Sequence, residues 1–475
     1  MAASTTPPSA SQSTSLIIRD RHASPWRVTR FSHHLPSNPL TLQPSNAAGL
    51  IPNPLYQQLP ERVVRLTLSF SLLTNGIPRN PTEAEVRELQ SHFKTLRSVG
   101  FQHPFLVLVV DILPPQPWPV IIADVPLWIT SSANEPPFDM GQLARASQKF
   151  TVLGEIRQYH TPNDTTVIEV FKLLNTKGAG IHRIQWDGAG FHAFGSQDPG
   201  EGWQDRLPSR VNNICISYTW TASNLEEHAA RMKIPTAEAT DDSRYAPTSL
   251  RPGIMLGGLH NNMIQRLGTT SGIRVESPTS GAKFITVASH GFPGNIGDYV
   301  FHPSARLING SPDLSYQIGT IEKKFGDTDI ALARLRPGIG YHRETFTDNG
   351  VGQPRAQPFR FLKDPSSLRW GDTVFMNTPV NGLCEGIHLV TSWSIGFGAT
   401  DVTPQESPTH VETSTFSYWG NGADIFVDGC CGGVIWDQNF DVIGQFRFQE
   451  KGGQKRAFSP TFKVLIDQGY QLSDI

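Results

Sequence analysis

The chain has 475 residues, a formal net charge of −2, 38% hydrophobic residues and 42 glycines and 37 prolines. Its near-neutral charge gives no bulk attraction to nucleic acid or to an anionic membrane surface. Four cysteines, Cys215, Cys384, Cys430 and Cys431, are too few for a disulfide framework, and no stretch is long and apolar enough to read as a bilayer span.

Residues 1–58 are rich in Ser, Pro, Thr and Asn and read as a disordered leader. The first residues carry neither a basic nor an apolar signal region, so the expected compartment is intracellular and reducing. Residues 59–240 read as an α+β domain. RVVRLTLSFSLL, residues 62–73, alternates like a strand. Thr82 and Glu85 fit a capping box that opens a helix running to about Val99, with Gly100 to stop it. Strands are expected over 105–113, 119–129, 167–174 and 212–220, and a second helix over 222–232. His160, His182, His192 and His228 are scattered without ligand spacing, so no metal site is expected. Residues 59–240 match no recognised pattern, and recognition of a protein partner is the role expected of them.

The polar segment 238–249 reads as a linker. From residue 246 to 475 short strands alternate with Gly, Pro and Asn turns, the pattern of an all-β unit. GAKFITVASHGF, residues 281–292, is an apolar run that ends in small residues and His290. FGDTDIALARL, residues 325–335, sets Asp329 at the start of a buried-type strand. VDGCCGGVIWDQNFDVIGQFRF, residues 427–448, holds a knot of small residues between two strand-like runs. Glycines there let the backbone turn sharply and bring amide N–H groups close to a reacting carbonyl.

In order, these segments supply a histidine, an aspartate and a cysteine nucleophile. The arrangement resembles the chymotrypsin-like protease superfamily, in its cysteine-nucleophile branch seen in picornavirus-type proteases, whose motif is Gly-x-Cys-Gly-Gly. The resemblance covers about half the chain. It implies a mainly β fold, a double β-barrel protease domain at 246–475 behind the α+β domain. It further implies an intracellular endopeptidase acting on polypeptide, without cofactor or metal. The site would comprise His290 as base, Asp329 as its orienting partner and Cys431 as nucleophile. Gly429 and Cys431 would supply the oxyanion amides. Ile425, Gly444, Gln445 and Phe446 would line the substrate cleft. Ile425 stands where basic-specific members hold an aspartate, so a preference for Lys or Arg would have to come from Asp424 or Asp428. Cys430 replaces the aspartate that pairs with a freshly cut N-terminus in secreted members, so that mode of activation is closed. Each residue also has a structural reading, His290 as a core histidine and Cys431 as a buried small hydrophobe. A separate alternative for the whole chain is a pseudoprotease, a binding module that keeps the cleft but not turnover.

Overall fold

The computed structural model describes residues 65–473, except 67, 76, 115–118, 120, 134–141, 146–148, 196–199, 221–249, 261–264, 295, 303–306, 310, 349–353, 380–381, 397–409, 419–428 and 450–455. The leader, the linker, the helix expected over 222–232 and Ile425 therefore lie outside the described residues.

The fold is mainly β, with a mixed unit ahead of the C-terminal strands. The first helix, Glu83–His92, starts as its sequence dictates. Thr82 caps the Glu85 amide, and the Glu85 carboxylate returns to the Thr82 amide. Leu89 and Phe93 turn into a core with Leu106, Leu108, Val110, Leu127 and Ile129. The helix ends at His92, short of the expected Val99. Leu96–Gln102 is instead a strand, folded back on Phe105–Val110. Val99, Gly100 and Phe101 are weak helix formers, and an apolar partner strand three residues on outbids the helix. The strand expected over 119–129 is broken into Ile121–Ile122 and Val125–Thr130. Ala123 and Asp124, both at positive φ, make the two-residue turn between them.

Residues 167–174, expected as strand, belong to the helix Asp164–Thr176. Asn163 accepts from the Thr166 amide at 2.8 Å, and Val167, Val170, Phe171 and Leu174 form one buried face. That helix packs on the strand Ile181–Trp186.

The largest sheet does not respect the sequence division at 238–249. Its order runs from 442–445 through 434–437, 373–378 and 382–396, then directly to 181–186, 190–195 and 214–220. Ile181–Trp186 pairs antiparallel with Gly382–Gly396, with Ile184 opposite Trp393 and Trp186 opposite Thr391. Trp393 lies in the same core as Phe171, Ile184 and Trp186, and its Nε1 donates to Asp164 Oδ1 at 3.0 Å. Phe105 and Trp128, from the five-stranded sheet, cover Ile387, Leu389 and Val390.

A second, eight-stranded sheet carries His290 and Asp329. Its order is 265–270, 255–260, 299–301, 317–324, 330–335, 283–288, 274–276 and 471–472. One apolar cluster joins the two sheets. Ile330 and Leu332 come from this one, Val434 and Trp436 from the other, and Phe462 and Leu465 lie at the short helix Lys463–Asp467. The core is thus continuous where the candidate site lies.

Candidate active site

His290 and Asp329 are set side by side by strand register. Lys283–Ala288 pairs antiparallel with Ile330–Leu335, and the last pair is Ala288 with Ile330. The next residue on each chain leaves the ladder, Ser289 into a short turn and Asp329 at a φ of 60°. Aspartate tolerates this left-handed backbone better than most residues. The Ser289 amide donates to the Asp329 carbonyl at 2.8 Å, and the His290 amide to Asp329 Oδ1 at 2.9 Å. His290 Nδ1 lies 2.8 Å from Oδ1 and 2.7 Å from Oδ2. The Asp329 side chain is 4% exposed, whereas that of His290 is 36% exposed. A carboxylate accepts only, so Nδ1 carries the hydrogen and Nε2 of a neutral ring carries the lone pair.

The nucleophile turn is pinned to the same sheet. The Thr270 amide and Thr269 Oγ1 donate to the Cys431 carbonyl at 2.7 and 2.6 Å, and Thr270 Oγ1 donates to the Gly429 carbonyl at 2.7 Å. Gly429 and Gly432 have φ of 101° and 90°. A β-carbon on Gly432 would sit 2.3 Å from the Thr270 carbonyl oxygen and 3.2 Å from the Ala288 nitrogen. The turn therefore lies against the end of the His290 strand, and only glycine fits there. The two cysteines diverge. Cys430 is fully buried beside Met376 and Cys384, its thiol 3.4 Å from Thr378 Oγ1. Cys431 donates its thiol hydrogen to the Arg447 carbonyl at 2.7 Å.

The expected cleft residues sit beneath this arrangement. Gly444 bridges to Thr461, and a β-carbon on it would meet the Pro460 carbonyl oxygen at 2.1 Å. Gln445 is fully buried, and its Nε2 donates to the Asp329 carbonyl at 2.8 Å. Phe446 is buried against Cys430 and Cys431, and its main chain bonds to Gly432 and Gly433. Gln445 thus holds Asp329 and Phe446 holds the nucleophile turn, and both side chains are buried. Arg447, one residue on, was not singled out by the sequence reading. Its Nε lies 3.9 Å from Asp329 Oδ2, and its guanidinium is 5.9 Å from the Phe448 and Phe458 ring centres. An arginine in the short connection between Val442–Gln445 and Phe448–Gln449 carries no local signal, because its partner is more than a hundred residues away.

Among the described residues no group of three or more His, Cys, Asp or Glu side chains could hold a metal ion. No described helix is long and apolar enough to cross a membrane.

No family model matches the chain, and no curated protein matches it. Among solved structures it is similar to Thermobifida fusca protease A, at 15% identity and a TM-score of 0.30, over 48% of this chain and all of that one. Nocardiopsis protease aligns at 15% identity and a TM-score of 0.30, over 48% of this chain and all of its own. A chymotrypsin of Cellulomonas bogoriensis aligns at 14% identity and a TM-score of 0.28, over 48% of this chain and all of its own. Likeness at this level carries no statement about chemistry.

Proposed function

We propose that the chain is an endopeptidase whose nucleophile is Cys431, with His290 as base and Asp329 as its orienting partner. The reading rests above all on the His290–Asp329 pair. It combines a buried carboxylate, a fixed Nδ1 hydrogen and a ring that reaches solvent, with a tight glycine turn bearing a thiol packed on the end of the strand that leads to His290. In the proposed reaction Cys431 Sγ forms a bond to the scissile carbonyl carbon. The thiol hydrogen passes to His290 Nε2, and the carbonyl π pair moves to oxygen. The Gly429 and Cys431 amides are assigned to that oxyanion. Collapse expels the amine, which takes the proton from His290 and leaves a thioester. Water then attacks the thioester carbon and gives a proton to His290; the C–S bond breaks, the carboxylic acid leaves, and the sulfur takes the proton back from His290.

A second reading, the pseudoprotease, draws on a specific observation. Cys431 is only 8% exposed and its hydrogen is held by a main-chain carbonyl. One comparison separates the two. On a casein substrate, Cys431→Ala and His290→Ala should each lower hydrolysis to background, while Cys430→Ser should retain it. Full-length protein without hydrolysis that Cys431→Ala can remove would leave the binding module standing.

A further inference from the structure

Arg447 touches both ends of the candidate site. Its carbonyl accepts the Cys431 thiol hydrogen at 2.7 Å, and its guanidinium Nε lies 3.9 Å from the Asp329 carboxylate. The Asp329 carboxylate is otherwise occupied by the amide and ring of His290. We propose that Arg447 is a positioning residue that keeps the site uncharged at rest, a neutral thiol beside a neutral imidazole, so that the proton moves only during attack. This rests on the endopeptidase reading above.

The physical argument is electrostatic. A lone buried carboxylate favours a protonated imidazole next to it. A cation on the far side of that carboxylate offsets the effect and keeps His290 available as a base. The carbonyl acts at the other end, because an acceptor facing sulfur favours S–H over thiolate. The Arg447 guanidinium carbon lies 5.9 Å from the centres of the stacked Phe448 and Phe458 rings, a contact that helps fix where the charge sits. The other described charge near the His290 turn is Lys324. Its ammonium donates to the Phe292 carbonyl and, at 2.7 Å, to the Gly294 carbonyl, close to Asp298. Lys324 ends the strand Gln317–Lys324 and Asp298 lies in the loop after His290, and both are unchanged by substitutions at Arg447.

The test uses the full chain and reads pH profiles. In Arg447→Gln the acid limb of kcat/KM should move to higher pH by roughly half a unit, from Coulomb's law at this separation in a partly wet site. Arg447→Lys should restore the wild-type limb. Arg447→Met keeps the stem and substitutes for the Gln variant if that one does not fold. A purely structural role would lower the plateau or the melting temperature with the midpoint unmoved, and that result overturns the proposal. Independently, the rate at which iodoacetamide alkylates wild-type Cys431 should keep rising as the pH is raised above neutrality. A rate plateau below pH 7 would reveal a preformed thiolate and also overturn it. The endopeptidase reading has its own control. If Cys431→Ala and His290→Ala hydrolyse like the wild type, that reading fails. If both are dead and the Arg447 variants leave the profile in place, only the role of Arg447 fails.

Discussion

Single positions decide most of the chemistry proposed for this chain. Asp329→Asn would keep the carbonyl that Ser289 and Gln445 hold and replace the carboxylate that accepts from His290. An amide can present its NH2 to Nδ1 and so fix the wrong tautomer. Hydrolysis should fall by about two orders of magnitude or more, with little change in melting temperature. Loss of fold instead of rate would make Asp329 a purely structural residue. Gly432→Ala tests the turn. Its β-carbon would strike main-chain atoms of Thr270 at a left-handed φ, so the variant should lose about 2 kcal/mol or more in urea unfolding. His290, Asp329 and Cys431 could be proposed from the sequence because each sits in a short local pattern. Arg447 could not, and neither could the bond from Gln445 to the Asp329 carbonyl, since only folding brings Asp329 near. Gly444, Gln445 and Phe446 were picked out as cleft residues; in the fold Gln445 is buried under Asp329 and Phe446 against the nucleophile turn.

Elements were legible where a cap and a periodicity agreed, and opaque where composition argued the other way. The start of Glu83–His92 was marked by Thr82 and Glu85; its end was not, because the following strand is specified by its partner at Phe105–Val110. The run Val167 to Leu174 is rich in residues that favour strands, yet its apolar positions repeat with helical spacing behind Asn163. Burial of that face against Ile181–Trp186 settles the contest. Asn163 accepts from both the amide and the hydroxyl of Thr166. Asn163→Ala should therefore cost about 1 kcal/mol of global stability by denaturant titration. An unchanged midpoint would show that tertiary packing alone sets this helix start.

At the scale of the whole molecule, acid should unfold the chain sooner than its carboxylates alone require. Burial, with Lys363 nearby, pushes His388 down to about 3, and burial pushes His182 down to about 4. Both are neutral in the fold and take up protons in the unfolded chain below about pH 6.5. The stability they contribute is whole above that value and is lost as pH falls. For His388 the loss is about 1.4 kcal/mol per pH unit between roughly 6.5 and 3. Thermal melts of His388→Gln should show a shallower decline from pH 6 to 4; an identical slope would remove His388 as the source. Scale also decides how the two halves relate. The mainly β character followed from the turn-rich composition, but the ladder between Ile181–Trp186 and Gly382–Gly396 leaves no trace in either segment, since a strand does not encode its neighbour. A fragment of residues 246–475 would uncover Ile387, Leu389, Val390 and Trp393. It should melt well below the full chain and bind a hydrophobic dye, and a fragment melting at the parent temperature would contradict this.

The shared ladder also changes what a peptide-bond cut would mean. A protease that nicks the backbone between Trp220 and Leu250 severs the covalent thread but none of the four registered pairs from Arg183–Ser394 to Trp186–Thr391. The two pieces would then travel as one particle through a gel-filtration column and part only in denaturant. Made separately and mixed, they would be candidates for reassembly from complementary halves. A band pattern on a denaturing gel would then misreport the molecule, because cleavage here is not release.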